Sequence, residues 1–309
     1  MDGNIPKGLA EGGDVREICE ACESKDLYPV LEAVENTGFQ YEMVCCRACG
    51  LIQLSRVISE GRKGSLIWEG EFWDKPDLSY EQGRMGRHKK LLSLLKRYEV
   101  TGGQLLDVGC SFGGLLNVAM EMGFSVCGVD VSPVAIDYLR SECHIEAFYS
   151  VVDAAQKKGL FDVVVCRSTL FYFRSPIEAL RHMRDALKPK GLLVIETQIN
   201  RAWIIKLIKR MEKFCGRKLV SQSTLQSLID SSFYSFGTNN LTFMLQRAGF
   251  NIIGLHNSYY GLLQLKPTLY STAIALAKAV LNVLSFVIWV ASLGHYKTAP
   301  VVAFYATRD

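Results

Sequence analysis

The sequence predicts an α/β fold: a doubly wound, largely parallel sheet with helices on both faces, preceded by a small cysteine-rich ribbon. Three observations carry this. From Gln104 onward, apolar strand-like runs alternate with segments of helical spacing, the pattern of strands joined by crossover helices. Phe161-Asp-Val-Val-Val-Cys166 is almost continuously apolar, as a strand buried on both faces requires. Two Cys-x-x-Cys pairs, Cys19-Glu-Ala-Cys22 and Cys46-Arg-Ala-Cys49, fall within the first fifty residues.

The bulk composition sets the frame for these elements. A chain of 309 residues, 49% hydrophobic and 21% charged, has room for one sizeable domain plus a module. Its net charge of +4 neither selects nor excludes nucleic acid. Met1-Asp-Gly-Asn-Ile-Pro6 has no basic region followed by an apolar run, so no signal peptide is expected there. A cytoplasmic location follows as an expectation, with the ten cysteines reduced. Residues 1–14 read as a loose tail.

A Cys-x-x-Cys turn presents two thiolates together, and two such turns make a tetrahedral zinc site from Cys19, Cys22, Cys46 and Cys49. Cys45 is an alternative ligand, but only Cys46 has the two-residue spacing to Cys49. Four thiolates leave no open coordination position, so the metal is structural. Leu27 to Leu31 and Phe39 to Val44 read as short strands of a zinc ribbon, which Cys49-Gly-Leu-Ile-Gln-Leu54 continues. The module spans residues 15–56. Residues 57–100 form a linker and helix, and 101–309 the main domain. In the linker, Trp68, Phe72 and Trp73 serve either as a lid or as packing between module and domain. Tyr80 to Tyr98 reads as a helix with Met85, His88, Leu91, Leu92, Leu95 and Tyr98 on its apolar face, His88 being a surface or helix-packing residue rather than a catalyst.

The most informative stretch is Gln104-Leu-Leu-Asp-Val-Gly-Cys-Ser-Phe-Gly-Gly114. It reads as a buried strand, a glycine turn, and then a helix through Leu115 to Met120. Glycine lets the backbone approach a ligand, and the free N–H groups of a helix start point at it. A second strand, Phe124-Ser-Val-Cys-Gly-Val-Asp130, ends in an acid at a distance that suits a carboxylate gripping ribose hydroxyls.

This ordered set resembles the first two motifs of the class I, seven-strand S-adenosylmethionine-dependent methyltransferases, whose usual text is Asp-x-Gly-x-Gly-x-Gly. Asp107, Gly109 and Gly113 match, Ser111 replaces the middle glycine, and Asp130 matches the ribose-binding acid. The resemblance covers about Leu91 to Asp309. It implies a sheet of six parallel strands and an antiparallel seventh, and it implies S-adenosylmethionine as cofactor. The residues it places against that cofactor are Asp107, Gly109, Cys110, Ser111, Gly113, Asp130, Val131, Asp153 and Arg167. The zinc module is similar to that of a subgroup that tailors sugars, glycans and natural products.

The remaining strands follow the family order. Pro133 to Glu142 is a helix capped by Ser132, and Ile145 to Tyr149 is the third strand. Ser150 to Asp153 forms the loop where the family holds adenine, with Asp153 either an acceptor for its amino group or a solvated acid. After the fourth strand, relatives read Leu-Glu-His-Val-x-Asp-Pro, and the histidine is a candidate base. Here Leu170-Phe-Tyr-Phe-Arg-Ser-Pro176 puts Tyr172 in its place. A tyrosine, with a reference pKa near ~10, is a poor base at neutral pH, so Tyr172 is either an orienting catalytic residue or aromatic packing. Ile177 to Leu187 is a helix, Lys188-Pro-Lys-Gly191 a turn, and Leu192 to Glu196 the fifth strand. Glu196, Gln198 and Asn200 then lie near the substrate rim. Asn239 to Ala248 is a helix, Gly249 to Leu255 the sixth strand, and Pro300 to Ala306 the seventh. His256, Tyr259 and Tyr260 offer a further polar cluster at the rim.

Two insertions, at about 201–236 and 262–298, exceed the minimal fold. Trp203 to Phe214 has Ile204, Ile205, Leu207, Ile208 and Met211 toward one side, and Lys206, Lys209, Arg210 and Lys213 over the other. This helix either lies on an anionic membrane or caps the pocket. Residues 273–293 are long and apolar enough to raise a membrane span. Strands six and seven must return to one sheet, however, which favours an amphipathic helix or hairpin that packs, dimerises or dips into a bilayer. Both insertions leave the cofactor end of the sheet, where ligands bind. The expected activity is methyl transfer to a small-molecule, glycan or lipid-linked acceptor, at or away from a membrane surface. An RNA methyltransferase and a non-catalytic scaffold are the alternatives. The ribbon is not basic, which argues against nucleic acid.

Overall fold

The computed structural model describes residues 15–34, 40–56, 78–156, 159–199, 210–212, 214–216, 233–258 and 301–308. Trp68, Phe72, Trp73, Asn200, Tyr259, Tyr260, segment 273–293 and most of both insertions lie outside the described residues.

The large sheet is built from β4 (Gly103–Val108), β5 (Phe124–Val129), β6 (Glu146–Phe148), β7 (Phe161–Arg167), β8 (Leu187–Gln198), β10 (Phe250–Ser258) and β11 (Val301–Arg308). Their order is β10-β11-β8-β7-β4-β5-β6. β4 pairs in parallel with β5 and β7, and β11 runs antiparallel between β8 and β10. This is the six-plus-one sheet that the resemblance implies. Strand order reverses beside β4, and that is where open α/β sheets place their ligand crevice.

Both faces are covered, because alternate residues of a strand point to opposite sides. Leu105, Val163, Val165 and Val194 pack beneath α1 (Leu78–Leu95), α2 (Gly114–Glu121) and α3 (Pro133–Ser141). Leu106, Val164, Cys166 and Ile195 face the other side. There they meet α4 (Val151–Ala155), α5 (Pro176–Ala186) and α6 (Thr238–Arg247). Each central strand thus contributes to two cores, which explains its continuous apolar text.

Several boundaries differ from the sequence reading. Lys188–Gly191 is not a turn ahead of a strand but an irregularity inside β8, where the β7 partner jumps from Leu187 to Leu192. Lys188 Nζ reaches both oxygens of Asp162 at 2.8 Å, an attraction that holds this bulge against the sheet. The loop expected around Asp153 is instead the start of α4, because the Ser150 hydroxyl accepts the Asp153 N–H and caps a helix.

The ribbon contains β1 (Leu27–Val34), β2 (Gln40–Cys46) and β3 (Ile52–Leu54), all antiparallel. Its sheet has a fourth strand, β9 (Tyr234–Ser235), which comes from the main part of the chain and pairs Ile52 with Ser235 and Gln53 with Tyr234. Cys19, Ala21, Cys46 and Leu51 share one buried cluster with Ile177, Tyr234, Phe236 and Leu241. The ribbon is therefore knitted into the α5–α6 face, and a boundary at residue 56 does not separate two independent bodies.

Candidate cofactor and metal sites

A cavity of about 700 Å3 opens at the carboxyl ends of β4, β5 and β7. Its floor is the turn after β4. Gly109 has φ +82°, and a Cβ there would overlap the Thr169 side chain, so only glycine fits. Ser111 stands where the family motif has glycine and also adopts a left-handed conformation, φ +50°. Its amide explains why this conformation is kept: Ser111 N–H donates to Asp130 Oδ2 at 2.8 Å in a buried setting. Ser132 N–H donates to the other oxygen, Oδ1, at 3.0 Å.

Two amides thus fix the plane of the Asp130 carboxylate at the cavity wall, leaving lone pairs for a ligand. Burial raises the pKa of this carboxyl above the ordinary aspartate value, against the lowering effect of those amides. The adjacent Val131 side chain is 59% exposed and lines the cavity with Tyr149 and Val152, a set of apolar surfaces suited to a flat ring.

Of the residues singled out from the sequence, Gly109, Ser111, Asp130, Val131, Arg167 and Tyr172 line the cavity. Asp107, Cys110, Gly113 and Asp153 do not. Asp107 is buried behind the turn; burial of the Cys110 and Cys166 thiols, and after it the nearby Asp107 charge, pushes both thiols up. Cys110 packs its sulfur against Gly128 and shapes the turn through its backbone. Gly113, φ +83°, starts α2 against Leu139. Asp153 is exposed and accepts from the Ser150 hydroxyl. Tyr172 ends a short 3-10 turn and sits edge-to-face on Phe171, with 4.5 Å between ring centroids.

Arg167 has a setting that the sequence did not reveal. Its Nε donates to Glu196 Oε1 at 2.6 Å, and its Nη1 lies 2.6 Å from His88 Nδ1. A guanidinium only donates, so His88 Nδ1 accepts and the neutral imidazole carries its proton on Nε2. His88 is thus buried under α1, the helix-packing alternative and not the surface one, and β7 brings the Arg167 cation against it. Glu196 is likewise buried behind the wall, while Gln198 reaches the cavity. His256 does not join this rim. Tyr98 and His256 Nε2 are 2.7 Å apart, and His256 packs edge-on against Tyr305.

The second site gathers Cys19, Cys22, Cys46 and Cys49, whose sulfurs all lie within 4.8 Å of one another. Cys19 and Cys49 sulfurs are 3.5 Å apart, and those of Cys22 and Cys46 are 3.6 Å apart. Sulfurs at 2.3 Å from a tetrahedral zinc are about 3.8 Å apart, so this donor set fits the ion. Cys45 is turned away and bonds its neighbour's carbonyl. The Cys49 thiol beside Cys19 lowers the Cys19 pKa below the ordinary thiol value, the direction that favours a metal-binding thiolate.

Residues 80–255, more than half of the chain, match the family model described as a methyltransferase domain. The chain belongs to the methyltransferase-domain family. The mitochondrial ubiquinone biosynthesis O-methyltransferase of Schizosaccharomyces pombe is 32% identical over 117 residues, 35% of this chain and 42% of that protein. The ubiquinone biosynthesis O-methyltransferase of Xanthomonas campestris is 36% identical over 113 residues, 34% of this chain and 46% of that protein. The chain thus spans less than half the length of these curated relatives. Among solved structures, magnesium protoporphyrin IX methyltransferase from Synechocystis with bound S-adenosylhomocysteine is similar at 14% identity. That match covers 74% of this chain and 84% of that one, with a TM-score of 0.43. In this methyltransferase-domain chain, the cavity lies at the switch point of the sheet, and the four-cysteine cluster lies beside α5 and α6.

Proposed function

We propose that the chain transfers a methyl group from S-adenosylmethionine to a small-molecule acceptor. The observation that carries this is the Asp130 carboxylate, aimed at the cavity wall by two amides beside the exposed Val131. Bound in this cavity, the cofactor supplies an activated methyl on a sulfonium. Asp130 holds the ribose hydroxyls, Val131, Tyr149 and Val152 bracket the base, and the Gly109–Ser111 turn admits the backbone close to the ligand. The wall Phe171–Ser175, with Tyr172 in it, orients the acceptor. Positioning alone lowers such a barrier by ~7–11 kcal/mol, so the reaction does not depend on a strong base.

The names of the two relatives support a small acceptor methylated on oxygen. The two insertions support a bulky apolar or lipid-linked form of it, with residues 273–293 meeting a membrane surface or a second copy of the chain. Flotation with anionic liposomes checks the membrane version: recovery of all protein in the soluble fraction overturns it. The four thiolates hold a structural zinc, whose presence metal analysis of the purified protein tests.

Isothermal titration with S-adenosylhomocysteine tests the main reading. Binding by the parent protein, with loss of at least about tenfold in affinity on Asp130→Ala, is expected; each tenfold corresponds to about 1.4 kcal/mol. No heat with the parent protein, or equal affinity of the variant, overturns it.

A further inference from the structure

The first metal knuckle does more than present two sulfurs. Glu20, between Cys19 and Cys22, reaches across to the cavity wall: the Ser175 hydroxyl donates to its Oε1 at 2.6 Å. Its other oxygen accepts from Arg16 Nη1 at 3.1 Å. Arg16 in turn donates through Nη2 to the Arg174 carbonyl at 3.0 Å, which also accepts from the Tyr234 hydroxyl at 2.8 Å. Arg174 and Ser175 both line the cavity, and the same Ser175 hydroxyl caps α5 by accepting the Glu178 amide.

The knuckle end of this bridge is equally fixed. Glu20 N–H donates to Gln53 Oε1 at 3.0 Å, and the fully buried Gln53 returns a bond to the Ile18 carbonyl. Arg247 of α6 donates to the Glu20 and Ala21 carbonyls. A carboxylate between a hydroxyl and a guanidinium, with its backbone pinned on both sides, has one well-defined position. That position depends on the closed Cys19–Cys22 turn, and the wall depends on it in turn.

We infer that Glu20 is a positioning residue that couples the metal knuckle to the Phe171–Ser175 wall, so that metal retention and ligand occupancy of the cavity stabilise each other. The inference rests on the proposed cofactor and zinc assignments. Coupling of this kind is reciprocal, so the cavity ligand must also protect the metal. The experiment measures zinc release from the purified full chain to a colorimetric chelator, with and without saturating S-adenosylhomocysteine. In the parent protein the ligand is expected to slow release by at least about fivefold, the lower end of typical coupling. In Glu20→Ala, which keeps all four cysteines, and in Ser175→Ala, the ligand effect is expected to vanish. Glu20→Gln, which retains an acceptor for Ser175, is expected to restore part of it.

A ligand effect of equal size in the parent, Glu20→Ala and Ser175→Ala proteins overturns the bridge, as does a ligand that binds with measurable heat yet leaves zinc release unchanged. A purified chain without zinc overturns it as well. Absence of binding heat in the parent protein is a different failure, which removes the cofactor reading and the bridge together.

Discussion

Asp130 sets the pH behaviour of the cavity. Burial raises its pKa in the folded chain, so the folded form takes up this proton at a higher pH than the unfolded form does. The stability this group contributes is therefore greatest below the usual carboxylate range and is lost as pH rises through the raised value. A ligand that needs the ionised carboxylate shows the opposite trend. The affinity for S-adenosylhomocysteine is expected to fall on acidification, at a higher pH than an ordinary aspartate would titrate, and titrations across pH check this. An affinity that stays flat until an ordinary aspartate titrates contradicts the assignment. Arg167 makes a second demand at this scale. Its charge is buried beside Glu196, with side-chain exposures of 5% and 10%. Removing the partner with Glu196→Ala leaves a buried cation and is expected to cost about 3–5 kcal/mol in urea unfolding. The joint replacement Arg167→Met with Glu196→Leu is expected to recover most of that loss.

At the scale of elements, the strand–turn–helix after β4 is where sequence reasoning was strongest. Its strand is apolar by burial on both faces, and Gly109 is required by a left-handed φ against Thr169. Gly109→Ala is expected to destabilise the chain by about 1–2 kcal/mol from the left-handed backbone alone, with the Thr169 overlap adding to it, and to abolish S-adenosylhomocysteine binding. Thermal unfolding and titration read the two effects separately. The Ser132 cap of α3, which accepts the Ala135 amide, was also legible from its position ahead of Pro133. Ser132→Ala is expected to cost about 1 kcal/mol while keeping the backbone amide that holds Asp130. The Ser111 conformation was less visible. A serine at φ +50° follows from its amide reaching Asp130, a contact between residues nineteen positions apart.

For the whole molecule, the ribbon and the main domain share a sheet and a buried cluster. Chelation of the proposed zinc is expected to loosen more than residues 15–56: the amide of Ser235, paired with Ile52 of β3, should lose hydrogen-exchange protection with it. Retained protection there after chelation would show that β9 is held without the ribbon. The sequence alone determined the alternation of strands and crossover helices, the glycine turn, the acid at the end of the second strand and the cysteine quartet. Each of these is a local signal, written in spacing, glycine conformation or the period of burial. Tertiary structure alone decided that His88 accepts from Arg167, that Glu196 stands behind the wall, that β9 completes the ribbon and that Glu20 reaches Ser175. These pairings join groups between 29 and 183 positions apart, and no local pattern encodes them. They arise only when the crossover topology has brought the carboxyl ends of the strands, and the ribbon beside α5 and α6, into contact.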